Sequence, residues 1–524
     1  MEPYSSHIMM FPFKWEIKQK NESVFGKRHH LSNISPVDDS PWHRKVMNYN
    51  EQEKIELYNE KNFFYEFVHN SLYDTGQEPQ PVLHHFERKE ALNGQTDYEI
   101  GIKQASSELS YKLNIRSLTL DLYSSGVGIL NIYLDNFQYS LFEEVKNINY
   151  YGSRIFPRYW RAGGDPDNDK DKELADRLSI TGLNGDAKKY TEDFSTIDPS
   201  HPRETPRFLD ELIKDLNPAL EAMPVIDDSM FTLCWYFNDN LAQRIEDEDS
   251  YKKFVAGKDW YSYVHATEPG ADCQISKTQA VSLEGHTYSK WQHCGTLYGI
   301  TRKSFMVISK NNNKSRQVWS NNFSTIYARL VSLALMQRIS IMKFSAEVTS
   351  ISTLAMDNDT RMVERIDDFY MAYIRFVNQS HFLEVTGQQY GIELYDLLLY
   401  SMRIKDQVQD LDNEVEELHK FSIVLEKKAQ GRSIKLLTLL GSLFLVPSFI
   451  AGFYGMNLFP DEFKENIPLL QAVTILILLI AGGLWGILSL SRQENRRFVN
   501  FLLAAVLFMV ILVMGLSLWA AMRA

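Results

Sequence analysis

Between Leu436 and Gly455 the chain carries no charged side chain, in a sequence that elsewhere holds 55 Lys and Arg and 67 Asp and Glu. The surrounding run, Ile434 to Asn457, reads IKLLTLLGSLFLVPSFIAGFYGMN. A helix of about 20 apolar residues matches the roughly 30 Å hydrocarbon core of a bilayer. A buried helix of a soluble domain is the competing reading, but two further apolar runs follow, Leu469 to Leu490 and Phe498 to Ala521. The C-terminal part, 433–524, is therefore expected to be a membrane domain, with spans at about 434–457, 468–490 and 498–521.

The flanking charges orient it. Lys427, Lys428, Arg432 and Lys435 precede the first span, and Arg492, Arg496 and Arg497 lie between the second and third. The first loop, Leu458 to Ile467, holds Asp461, Glu462 and Glu465 against Lys464. Positive flanks stay in the cytoplasm, so the large N-terminal region is expected there, with the Gly-Met-Asn loop on the other side.

Pro447 in mid-span, Ala451-Gly452, and then Tyr454-Gly455-Met456-Asn457 form a recognisable pattern. It resembles the signature of the CorA superfamily of magnesium and other divalent-cation channels. The Gly-Met-Asn tripeptide alone arises by chance in roughly a few per cent of chains this long. At the outer end of a first span, behind a long helix, it is specific. The resemblance covers residues from about Phe323 to Leu490, and covers the region before that only loosely. It implies a homopentamer in the cell's inner (plasma) membrane, Mg²⁺ as cargo and as regulator, a funnel-shaped assembly, and no enzymatic activity.

Whole-chain numbers bound the rest. With 524 residues, the soluble part is long enough for two or three domains. A formal net charge of −12 argues against general nucleic-acid binding. Cys234, Cys273 and Cys294 form no CxxC pair, so neither a disulfide framework nor a zinc site is indicated. The first residues, MEPYSSHIMMFPFKWEIKQK, lack a basic start followed by an apolar h-region, so no cleavable signal peptide is expected.

Residues 1–320 read as an α/β or α+β cytoplasmic domain. The first 110 or so residues are weakly patterned, with a candidate helix at Asn50 to His69. SLTLDLY and ILNIYLD alternate apolar and polar residues around Ser124-Ser125-Gly126-Val127-Gly128, which predicts a hairpin. Short helices are expected at Phe142 to Asn149 and Phe208 to Leu216, and strands at 230–237 and within Gly295 to Ser309. Arg154 and Arg158 stand among aromatics in GSRIFPRYW, a mix suited to holding a phosphate and stacking a base. The alternative is a loop whose arginines pair with carboxylates. Residues 162–207 read as an exposed loop or insertion. His286, His293 and Cys294 lack the spacing of a metal site, and no P-loop, nucleophile elbow or HExxH stands in its required context.

Residues 321–432 read as a helical stalk region, with helices at Phe323 to Thr353 and Asp357 to Phe382. From Gly391 no proline occurs until Pro447, which predicts one unbroken helix to Asn457, about 100 Å long at 1.5 Å per residue. Ile404, Val408, Leu411, Val415, Leu418, Ser422 and Leu425 alternate steps of four and three, a seam that requires a partner helix.

In a symmetric ring one helix face lines the whole axis. Steps of three and four select Ile434, Leu437, Gly441, Leu445, Ser448 and Gly452, with Asn457 at the mouth. Apolar rings gate by dewetting, which makes Ile434, Leu437 and Leu445 the gate candidates. Mg²⁺ sheds water reluctantly, so a ring of Asn457 amide oxygens suits the hydrated ion, with Gly455 and Met456 completing the selectivity mouth. Asp406, Asp410, Asp412 and the run Glu246 to Asp249 are candidate regulatory ligands.

Two departures from the family qualify these expectations. The chain adds a third apolar run, and its N-terminal region is enlarged. Its hairpin, aromatic-arginine loop and second β region resemble the CorA-like membrane effectors associated with type III CRISPR antiviral defence. That resemblance implies the alternative function: a pore gated by a nucleotide second messenger held near Arg154, Arg158 or Arg302.

Overall fold

The computed structural model describes residues 2–18, 31, 34–47, 55–76, 81–88, 96–104, 107–156, 174–183, 190–194, 204–225, 228–267, 277–354 and 361–455, and its account of side chains ends at Gly441. The strands are β1 (Ser5–Ile17), β2 (Trp42–Arg44), β3 (Leu83–Arg88), β4 (Asp97–Gln104), β5 (Ser107–Tyr123), β6 (Val127–Asn136), β7 (Arg177–Thr181), β8 (Tyr190–Asp193), β9 (Leu220–Pro224), β10 (Phe231–Phe237), β11 (Thr287–Tyr288), β12 (Leu297–Ile300) and β13 (Ser304–Ser309). The helices are α1 (Ile55–Phe63), α2 (His69–Leu72), α3 (Phe142–Ser153), α4 (Arg207–Lys214), α5 (Asp239–Glu246), α6 (Glu248–Val255), α7 (Lys258–His265), α8 (Lys277–Gly285), α9 (Asn313–Asn322), α10 (Ala328–Leu354), α11 (Arg361–Ser380), α12 (Gln389–Ser401) and α13 (Ile404–Gly455). Two compact units result, Met1–His419 and Lys420–Ala524.

In the first unit all the described strands join one mixed sheet, ordered β11-β12-β13-β10-β1-β6-β5-β4-β7-β8, with β2 and β3 extending from β5 and β9 from β1. The expected hairpin is β5 and β6. Its turn places Gly126 at φ +81°, a left-handed angle that glycine adopts without a Cβ penalty. The expected strand at 230–237 is β10, and β12 and β13 supply the second β region. β10 and β13 are parallel, so the chain between them must cross over, and α5 to α8 occupy that crossover.

β1 is a central strand that the sequence reading passed over as weakly patterned. It pairs with β6 from Ser5 to Lys14 on one side. On the other side it pairs with β10 as far as Met10 and with β9 from Phe13. Pro12 falls in the gap between those two partners, the position where a missing backbone N–H costs no ladder bond. The stretch 162–207, expected as an exposed loop or insertion, is not all exposed: it carries β7 and β8, with Leu178, Ile180, Leu183 and Tyr190 buried. Their apolar alternation is short and interrupted by polar sequence, which hid it.

Both sheet faces are covered. On β10, Cys234 and Tyr236 join a core with residues of α3, α5, α6 and α7. Trp235 points the other way and stacks on Tyr327, with ring centroids 6.0 Å apart, in a π-helical turn (Phe323–Tyr327) leading into α10. Gly299 of β12 lies under α7: a Cβ there would sit inside contact distance of Val264 and 2.9 Å from Trp260 Cζ2.

The helices from α10 to the start of α13 belong to the same compact unit as the sheet. The seam residues Ile404, Val408, Leu411, Val415 and Leu418 are buried. A helix of the same chain meets α13 there: Tyr373 Oη of α11 donates to Asp412 Oδ1 at 2.5 Å, and Tyr370 stacks on His419 at 4.0 Å. The helix expected to run unbroken from Gly391 does not. α12 ends at Ser401, Met402 turns, and Arg403 takes φ +55° before α13 begins.

Gly299→Ala is expected to lower the stability of the full-length protein by about 1–3 kcal/mol, the usual cost of forcing a methyl into a filled core, measured by denaturant titration. A pH titration tests a second feature. His7 of β1 is fully buried; its Nδ1–H donates to Asn149 Oδ1 at 2.8 Å, and its Nε2 accepts from the Ser5 hydroxyl at 2.9 Å. Burial pushes its pKa from 6.5 down to about 4. Because the unfolded chain binds the proton first, stability is retained above pH 6.5 and falls as pH drops from 6.5 to about 4. The loss is on the order of 3 kcal/mol, and His7→Asn should flatten that part of the profile.

Candidate ion pathway

The positions expected to line a pathway lie on α13. Within the unit Lys420–Ala524, Phe421, Ile423 and Val424 are exposed, followed by Ile434 at 65 %, Leu436 at 64 % and Leu437 at 73 %. A Cβ at Gly441 would meet nothing within 4 Å. Large apolar side chains bared along one helix need an apolar surrounding, either lipid or further protein. Thr438 Oγ1 donates to the Ile434 carbonyl at 2.8 Å, which satisfies the hydroxyl inside its own helix as an apolar medium demands. Lys427, Lys428 and Lys435 are exposed just before the uncharged run.

The backbone of α13 stays helical through Pro447, where proline lacks the N–H that would bond the Leu443 carbonyl, and ends at Gly455. Leu445, Ser448 and Gly452 lie on this helical backbone, with side chains outside the described residues. Met456 and Asn457 lie wholly outside them, as do the second and third apolar runs. Among the described residues no helix is long and apolar enough to cross a membrane.

The arginines expected to hold a nucleotide have separate fates. Arg154 is buried, 2 % exposed, with its guanidinium paired to Asp228 and 4.5 Å over the Tyr150 ring. Lys303 pairs with the same carboxylate. The carboxylate-pairing alternative therefore describes Arg154 as it stands. No spacing revealed it, because Arg154 and Asp228 are 74 residues apart in the chain. Arg302, beside Lys303, is exposed, and its carbonyl accepts from Arg338 Nη1 at 2.8 Å. Arg158 lies outside the described residues.

The acidic candidates are dispersed. Asp406 lies 3.7 Å from Arg403, and Asp410 is exposed. Asp412 accepts from Tyr373. Glu246 pairs with Lys310 at 2.5 Å, and Asp247 caps α6 by accepting from the Ser250 N–H at 2.9 Å. Glu248 pairs with Lys252 at 3.3 Å. His286 Nδ1 lies 3.1 Å from Ser401 Oγ, while His293 and Cys294 sit on a short exposed turn. Among the described residues no three His, Cys, Asp or Glu side chains converge as a metal site would require.

The family described as CorA-like Mg²⁺ transporter protein matches residues 334–490, a segment that contains α13 and the Gly-Met-Asn tripeptide. No protein with a curated description matches the chain. Among solved structures, a CorA magnesium transporter from Methanocaldococcus jannaschii is similar at 13 % identity, covering 50 % of this chain and 92 % of its own. Its TM-score of 0.20 carries no argument about the fold. The likeness is confined to residues 334–490, the segment that holds the uncharged run of α13 and the Gly-Met-Asn tripeptide.

Proposed function

We propose that this chain is a CorA-type channel that passes hydrated Mg²⁺ or a related divalent cation along an axis lined by α13 in a homo-oligomeric, pentameric assembly in the plasma membrane. The observation that carries this reading is the uncharged stretch of α13 from Leu436 to Gly455, opening into Met456 and Asn457 inside the matched segment. Asn457 presents neutral amide oxygens to the ion's water shell, which selects without demanding dehydration. Ile434 and Leu437, both highly exposed on the single chain, form the apolar constriction.

Reconstitution in liposomes loaded with a Mg²⁺-sensitive dye tests this. Asn457→Ala should abolish selective divalent flux while leaving the assembly's elution volume unchanged; unaltered selectivity would remove the proposal. Leu437→Ser should wet the constriction and raise resting flux by on the order of tenfold or more, from the roughly 1.4 kcal/mol per decade of a barrier change.

A further inference from the structure

From Ile392 to Gln430 the sequence contains neither glycine nor proline, and no asparagine stands near the α12–α13 junction. Local propensity there favours one continuous helix. The structure nevertheless terminates α12 with the geometry that usually recruits glycine. The Met402 N–H bonds to the Leu398 carbonyl and the Arg403 N–H to the Tyr400 carbonyl, each at 3.0 Å, and Arg403 adopts φ +55° despite its Cβ. The Arg403 carbonyl then accepts from the Gln407 N–H at 3.2 Å to start α13.

What opposes the local preference is tertiary. Met402 and Ile404 are fully buried on either side of Arg403, whose own side chain is exposed. Ser401 Oγ donates to the Ile300 carbonyl at the end of β12, at 3.2 Å. With its only proton used there, Ser401 accepts from His286 Nδ1–H at 3.1 Å. His286 is itself tied to β12, its carbonyl accepting from the Ile300 N–H at 2.8 Å. A strained left-handed residue with a bonded latch beside it is the arrangement of a bistable element.

We propose that the Met402–Arg403 break is a two-state joint: in the second state Arg403 returns to right-handed angles and α12 and α13 fuse into one helix, and the Ser401 latch to Ile300 and His286 selects the broken state. In the broken state Ile404, Lys405 and Asp406 begin a helix, so their N–H groups have no carbonyl of that helix to bond. In the fused state those three N–H groups bond the carbonyls of Tyr400, Ser401 and Met402. The joint does not depend on the transport reading. Where that reading holds, the joint lies on the helix that carries Ile434 and Leu437.

Hydrogen–deuterium exchange on the full-length protein, resolved across residues 401–407, reads the two states directly. Arg403→Gly relieves the left-handed strain and should hold residues 404–406 at the fast limit. Each latch hydrogen bond removed should shift the fused-to-broken ratio by roughly fivefold. Ser401→Ala, which removes both latch hydrogen bonds, should therefore slow exchange at Ile404, Lys405 and Asp406 relative to Arg403→Gly, and His286→Ala, which removes one of them, should slow it less. Protection of β1 and β6 confirms that each variant is folded, and Ser401→Ala alone carries the test if His286→Ala loses that protection. Equal exchange in the variants, or faster exchange when the latch is removed, overturns the proposal.

Discussion

The first unit depends on the pairing of β1 with strands that lie far from it in the chain. Residues 5–14 bond β6 along one edge, while the other edge takes β10 and β9. Without β1 the β10–β13 half and the β6–β5–β4 half have no common strand. Helices pack on both faces of a strand that β1 joins to the rest: α3 shares a core with Cys234 and Tyr236 of β10 on one face, and the π-turn stacks on Trp235 on the other. Pairings of such sequence separation carry a high loop-closure entropy, so the join forms only with the apolar faces it buries.

A second theme is competition between local preference and tertiary contact. At Pro12 the two agree, because the gap between β10 and β9 leaves no ladder bond for proline to break. At Arg403 they conflict, and the buried Met402 and Ile404 with the Ser401 hydrogen bonds prevail over a sequence that reads as uninterrupted helix. The seam on α13 lies between these cases. Its four-three spacing announced a partner, but only the packing identified α11 of the same chain as one.

The uncharged run that ends in Gly-Met-Asn stands out in the sequence for a simple reason: length and lack of charge are properties of one continuous stretch. The arginine-aromatic loop had no such constraint. Arg154 could be read as a ligand contact or as the partner of a carboxylate, and its pairing with Asp228, shared with Lys303, exists only once distant strands have met. The short strands β7 and β8 were concealed in the same way, because their burial comes from neighbours rather than from their own periodicity.

The sequence by itself determined the elements with strong period or strong composition: the β5–β6 hairpin, the buried strand β10, the long helices, and the uncharged run that ends in Gly-Met-Asn. These follow from patterns within tens of residues, where side-chain alternation and charge speak directly. Tertiary structure alone decided that the N-terminal segment is central to the sheet, that Arg154 is neutralised in the interior, and that the helix after Gly391 is broken at Arg403. Each of those depends on contacts between residues remote in sequence, whose hydrogen bonds and buried surface outweigh a local preference of about 1 kcal/mol.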